Sequence, residues 1–448
     1  MKKLLFGGIA LMLLHLFILF NLQFTAWPEM FSYPFLSNNG FDLYKDIALP
    51  YQPLLMILLS GVYKLFGYNL LTLQVFTVTL IIFSDILIFL ISRELLGYTK
   101  KSLLPLSLYV LIQPLAFGNM LWFDLATVPF ILLAILFGLH KKFFLVGFFL
   151  AVAFFIKQQT GLAILFLIIY FLLTKKFKEL IKFLFGSSVV TLLILTFVIY
   201  NGIFNDYIFW TIVVPLYWYP KLPGYTNWPT LLQLITVCLI FLPGIILVTK
   251  KFKKSQDYTK MILLSFIGLF LVAFLRFEYF RLQPAMSAYI ILMAAILKRG
   301  NTIILCVPIL LAILILSRNN LENINLPARF YGSQELMLAK RVEDFALPND
   351  RIYLLGVPSI VYILSNHLPS KPWVDNYVWY MEIEGLQDKV IQGFEVDKPK
   401  VIFWKTPEKG NWYEIGTYQP QKIVEYMKSH YELKENIEGG VQIWQRKD

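Results

Sequence analysis

The sequence predicts an α-helical polytopic membrane protein that carries a small soluble α/β domain at its C-terminal end. Three observations predict it. Of the 448 residues, 58% are hydrophobic and only 15% charged, whereas soluble domains carry about 25% charged residues. Apolar runs of near-spanning length recur through the first 317 residues. The charge density then rises sharply. Residues 1–317 hold 34 charged side chains, and the much shorter stretch 318–448 holds the other 34.

This composition excludes a soluble globular enzyme, a disordered chain and a disulfide scaffold. Cys238 and Cys306 both lie inside apolar runs and lack the spacing of a metal site. The net charge of +12 does not indicate a nucleic-acid partner, because the basic residues stand in short clusters between hydrophobic runs.

A helix needs about 20 apolar residues to cross the hydrocarbon core. Eleven candidates meet or approach that length: 4–22, 70–92, 102–120, 124–139, 143–156, 160–174, 183–203, 230–249, 261–275, 283–298 and 301–317. The fifth and sixth are short and separated only by Lys157-Gln158-Gln159. A single tilted helix would expose that polar trio to lipid, so a helical hairpin with a wet turn is expected. The opening Met1-Lys2-Lys3 also suits a signal peptide, but Phe24 occupies the place where cleavage before Trp27 wants a small residue. The first segment is expected to be a retained anchor.

Lys and Arg concentrate in cytoplasmic loops. With a cytoplasmic N-terminus, the inner loops hold 18 such residues, including Lys250, Lys251, Lys253, Lys254, Lys298 and Arg299. The outer side holds six: Lys45, Lys64, Lys157, Lys221, Arg276 and Arg281. Eleven crossings then place residues 318–448 outside the cytoplasm, in a multi-pass plasma-membrane protein. Glu29, Asp42, Asp46, Asp124, Asp206 and Glu278 fall on the same outer face. Charges that run against the topology rule are functional candidates. Asp85, inside the second segment, is expected to hydrogen-bond a neighbouring helix.

Residues 23–69 form a long first outer loop. It contains Trp27-Pro28-Glu29, then Gly40-Phe41-Asp42-Leu43-Tyr44-Lys45-Asp46, then Pro50-Tyr51-Gln52-Pro53. The apolar stretch Met56–Phe66 is too short to span and is expected to lie along the membrane surface.

The run Gly40-x3-Tyr44-x-Asp46, the Pro-x-x-Pro at 50–53 and Phe66-Gly67 resemble the polyprenyl-phosphate-dependent glycosyltransferases of GT-C fold. That superfamily includes the protein O-mannosyltransferase and lipid A aminoarabinose transferase branches. Asp124 opening the fourth segment, Lys157-Gln158-Gln159 after the fifth, and Arg276-Phe-Glu-Tyr279-Phe-Arg281 continue the likeness in order. The family's first loop usually carries Asp-Glu ahead of a Tyr. Here Glu29 and Tyr33 fit that place, with Pro28 where the Asp would stand.

The resemblance implies transfer of a sugar from a polyprenyl- or dolichyl-phosphate donor to a glycan, lipid or protein acceptor on the outer face. Such chemistry needs a carboxylate to take the acceptor's proton and cations to hold the departing phosphate. The candidate bases are Asp46 and Glu29, with Asp42 beside them. The candidate phosphate ligands are Lys157, Arg281 and Arg276. Asp124, Tyr44, Gln158 and Tyr279 complete the expected site. Each has a plainer reading: a solvated loop for Asp42 and Glu29, an ion pair for Asp46, a helix cap for Asp124, a snorkelling anchor for Lys157. No cluster of metal ligands stands out, although some relatives use a divalent cation, for which Asp42 and Asp46 are the candidates. The aromatic run Trp210, Tyr217, Trp218, Tyr219, Tyr225 and Trp228 reads first as an interfacial belt, then as a sugar-stacking wall. A transporter or flippase of a lipid-linked sugar is the alternative, and a non-catalytic assembly scaffold a third. No internal repeat of the kind transporters carry is seen.

Within 318–448, helices are expected over 334–347, 358–365 and 420–430, and strands over 350–356, 400–404 and 441–444. Their alternation suggests a small, mostly parallel sheet. No Gly-rich nucleotide loop is present.

Overall fold

A computed structural model describes residues 2–222, 225–249, 256–297, 302–375, 378–406, 420–437 and 439–447. The inner-loop cations Lys250, Lys251, Lys253, Lys254, Lys298 and Arg299 lie outside the described residues.

The helices follow the hydrophobic runs. They are α1 (Lys2–Asn21), α2 (Glu29–Asn38), α3 (Leu54–Phe66), α4 (Leu70–Leu96), α5 (Leu104–Gln113), α6 (Phe123–Leu139), α7 (Phe143–Ile156), α8 (Gly161–Leu173) and α9 (Phe177–Tyr200). Then come α10 (Phe204–Ile208), α11 (Leu231–Thr249), α12 (Asp257–Val272), α13 (Gln283–Leu297) and α14 (Thr302–Asn320). The C-terminal region adds α15 (Ser333–Phe345), α16 (Ile360–Leu364), α17 (Leu386–Asp397) and α18 (Gln421–His430). Each of the eleven candidate segments coincides with a helix. Five helical stretches, Lys2–Asn21, Leu70–Leu96, Phe177–Tyr200, Leu231–Thr249 and Tyr279–Leu297, are long and apolar enough to cross a membrane. The chain is a multi-pass membrane protein.

Two compact units emerge. The first comprises Met1–Thr25, Leu73–Thr196 and Asn227–Pro327; the second comprises Ala26–Thr72, Phe197–Thr226 and Ala328–Asp448. Compactness thus groups most of the first outer loop with the C-terminal residues, a division that charge density does not reveal.

In the first unit, close backbone approach packs the helices. A Cβ on Gly147 of α7 would lie 1.9 Å from the Phe183 carbonyl oxygen, and one on Gly186 of α9 would lie 1.9 Å from that of Phe144. Small residues let helices meet this closely in lipid, where there is no hydrophobic force between them. Four other helices are joined by a buried polar network. His15 of α1 bonds Asp85 of α4 at 2.8 Å and Gln113 of α5 at 2.9 Å, and Gln113 reaches Gln283 of α13 at 3.4 Å. Asp85 therefore links helices, as its place inside a span suggested.

In the second unit the sheet has the order β1-β2-β4-β3, with β1 Ile352–Leu355, β2 Val401–Lys405, β3 Tyr431–Ile437 and β4 Val441–Arg446. Only β1 and β2 pair parallel; β2–β4 and β3–β4 are antiparallel. The expectation of a mostly parallel sheet is corrected. The reason is β3, a charged edge strand that the sequence reading did not include and that forms a hairpin with β4. The first-loop helix α2 packs in this unit through stacked Phe31 and Tyr63, 5.6 Å apart, and a Ser32–Ser359 contact of 3.1 Å.

Candidate functional site

The first unit gathers the expected cations. The backbone leaves α7 at Ile156, and Lys157 takes an extended conformation before a short 3-10 turn over Gln158–Thr160 that leads into α8. The polar trio therefore breaks the helix between α7 and α8, but the break is not wet at Lys157 and Thr160, which are buried. Lys157 is 2% exposed and donates to Asp124 Oδ2 at 2.5 Å. Asp124, 3% exposed, stands in the first turn of α6. It is not the cap of α6, a position held by Trp122 with no side-chain capping bond, but the ion-pair partner of Lys157. Arg281, 8% exposed, lies in the turn before α13 and acts electrostatically on Lys157. Glu278 lies in the same turn. Burial pushes its carboxyl up, while the charges of Arg281 and Arg276 oppose that shift. Lys157, Arg281 and Arg276 thus lie within electrostatic range of the carboxylates of Asp124 and Glu278. Gln158 is half-buried beside Lys157 in sequence, and Tyr279 is buried with its ring edge-on to Phe277.

The second unit holds the first-loop residues. Asp46 Oδ2 accepts from Lys371 Nζ at 2.7 Å and from the Asp42 backbone amide at 3.0 Å. Its carboxylate closes its own turn and neutralises Lys371. The Asp42 side chain is exposed. Of this pair, Asp46 is engaged by Lys371 and Asp42 is exposed. Among the described residues no group of three or more His, Cys, Asp and Glu side chains is gathered. Tyr44 adopts a left-handed backbone, φ 71°, uncommon for a bulky residue. It is 1% exposed and donates to the Tyr51 carbonyl at 2.9 Å, so it shapes the loop from within.

Glu29 is different. It opens α2, is 3% exposed, and lies one turn before Tyr33 on the same helix face. The Tyr33 hydroxyl donates to Asp375 Oδ2 at 2.6 Å. Burial first, then the charge of Asp375, and further down that of Glu29, push the Tyr33 phenol well above its ordinary value. Sequence reading missed Asp375, which carries no motif. The aromatic run divides: Tyr217 and Trp228 are exposed, as a belt requires, whereas Tyr219 stacks on Tyr225 at 3.9 Å and meets the Tyr380 hydroxyl at 3.1 Å.

Comparison with solved structures shows a chain of GT-C fold. It is similar to ArnT from Cupriavidus metallidurans bound to undecaprenyl phosphate, with a TM-score of 0.60 at 11% identity over 98% of this chain and 97% of that one. The apo state of the same protein gives 0.61 at 11% identity, covering 99% and 98%. The apo oligosaccharyltransferase of Archaeoglobus fulgidus gives 0.51 at 10% identity, covering 99% of this chain and 74% of that one. No family model and no curated protein matches the sequence.

Proposed function

We propose that the protein is a membrane glycosyltransferase that moves a sugar from a polyprenyl-phosphate donor to an acceptor at the outer face. The observation that carries this reading is the buried cluster of Lys157, Arg281 and Asp124 in the first unit. Cations gathered in a buried site make strong charge-assisted contacts with an anion that enters it. A lipid phosphate is an anion of the right kind, and ArnT, which shares the fold, has been solved with undecaprenyl phosphate bound.

The reaction is a single displacement. The acceptor oxygen bonds to the anomeric carbon as the bond from that carbon to the phosphate oxygen breaks, so the configuration inverts. The lipid phosphate leaves with the bonding electrons and is held by Lys157 and Arg281 through charge-assisted contacts. The acceptor proton passes to a carboxylate. Glu29 is our choice for that base. The Lys371 ion pair favours a loop-holding role for Asp46, whereas Glu29 is buried beside Tyr33 at the position where the family keeps its acidic residue.

The test uses the purified protein in liposomes with undecaprenyl-phosphate pentose and hexose donors and a membrane extract as acceptor source. Release of free undecaprenyl phosphate with label appearing on an acceptor is expected. Movement of intact lipid-linked sugar between leaflets, with no sugar–phosphate cleavage, would make the protein a flippase instead. The proposed orientation puts the N-terminus in the cytoplasm and residues 318–448 outside. A reporter active only in the cytoplasm, fused after Asp448, should stay silent; a signal from it would reverse the orientation.

A further inference from the structure

Four side chains in the interior of the first unit form a line that ends beside Arg281. His15, Asp85 and Gln113 are wholly buried, and Gln283 is 1% exposed. The line starts at Asp85, whose Oδ2 lies 2.8 Å from His15 Nδ1. His15 Nε2 then meets Gln113 Oε1 at 2.9 Å. The Gln113 amide nitrogen donates to the Gly118 carbonyl at 2.9 Å and, over a longer 3.4 Å, to Gln283 Oε1. The Gly118 carbonyl fixes which way that amide points, since turning it over would set oxygen against oxygen. A Cβ on Gly118 would lie 2.1 Å from the Gln113 carbonyl oxygen and 2.3 Å from Gln113 Nε2, so only glycine leaves room for the arrangement.

The far end of the line is what gives it a use. Gln283 opens α13, directly after the short turn Tyr279–Leu282 that carries Arg281. Trp122, two residues before Asp124, meets the same turn edge-on at Phe280, with ring centres 6.3 Å apart. Arg281 thus stands between two neighbours, Phe280 and Gln283, that other elements hold. Helix cohesion alone is a poor reason for such a line. Polar groups in this interior cost free energy unless each is answered, and close packing at Gly147 and Gly186 joins helices of the same unit without that risk. A hydrogen bond, however, sets direction as well as distance. A guanidinium that has to meet a phosphate oxygen needs that setting, because its contacts depend on geometry.

We infer that Gln283 is a positioning residue for the leaving lipid phosphate: held by Gln113, which His15 and Asp85 fix in their turn, it sets the turn that carries Arg281. This rests on the reading of Arg281 as a phosphate ligand. Gln283→Met removes the last link and leaves Gln113 its bonds to His15 and Gly118. Binding of undecaprenyl phosphate by the purified full chain should weaken about three- to tenfold, the worth of one neutral hydrogen bond. A double-variant cycle separates positioning from general loosening. In an Arg281→Ala background Gln283→Met should change binding by less than about twofold, the margin within which independent effects add, because the group it positions is gone. A merely structural glutamine would cost the same factor in both backgrounds. Thermal melting in detergent reports folding of each variant, and Gln283→Asn, which draws the amide back by one methylene, takes the place of Gln283→Met if that variant does not fold. Unchanged binding in the single variant, or an equal loss in the two backgrounds, overturns the inference while a weakened Arg281→Ala leaves the phosphate reading standing. Wild-type binding in Arg281→Ala removes both.

Discussion

Glu29→Gln should leave a folded protein that binds undecaprenyl phosphate normally but transfers sugar about a hundred- to ten-thousandfold more slowly, the usual contribution of a general base. The amide has the shape of the carboxylate and cannot take a proton. The base acts on the acceptor, so binding of the lipid phosphate, proposed to rest on Lys157 and Arg281, should not move. Asp46→Asn gives the contrast. It removes the partner of Lys371, a half-exposed ion pair worth about 0–1 kcal/mol, and loosens the turn that Asp46 closes on the Asp42 amide. A loss of activity within about tenfold is expected, accompanied by lower thermal stability. Measuring kcat and donor Kd for both variants decides the matter. A dead Asp46→Asn beside a working Glu29→Gln would transfer the role of base to Asp46 and make the Lys371 contact an element of catalysis.

What the sequence showed and what it hid follow from the range of the interactions. The spanning helices were legible because lipid imposes a long apolar run that few other environments tolerate. The break at Lys157 was legible for the converse reason: a polar trio between two apolar runs interrupts the helix. Lys157, Arg276 and Arg281 stood out as cations that the expected orientation leaves on the outer side. The helical character of Glu29–Asn38 was hidden by Pro34 within it and by Pro28 before it. The helix α17 was hidden by Gly393, a poor helix former that the close approach of Lys371 requires. Asp375 was beyond reach altogether. Its partner Tyr33 lies 342 positions away in the chain, and no local pattern encodes a hydrogen bond that only tertiary structure creates.

The same distinction bears on Lys157, where the proposed anion binding and the ion pair with Asp124 fall on one side chain. Read from the sequence as a phosphate ligand, Lys157→Ala would weaken donor binding and little else. The structure changes that expectation, because Asp124 would be left buried without its cation. Removing one partner of a buried ion pair typically costs about 3–5 kcal/mol, enough to lower the melting temperature by many degrees and to confuse a folding defect with a binding defect. Lys157→Met/Asp124→Leu separates the two. Replacing both charges with apolar groups of similar size is often neutral or stabilising, so the double variant should recover most of the stability that Lys157→Met loses. It should not recover donor binding, since one of the charge-assisted contacts to the phosphate is gone; about ten- to hundredfold weaker binding of undecaprenyl phosphate is expected. Thermal melting in detergent and a lipid-phosphate binding assay, run on the wild type, both single variants and the double, complete the cycle. Stability and binding that return together in the double variant would make Lys157 a structural partner of Asp124 and leave the phosphate to Arg281.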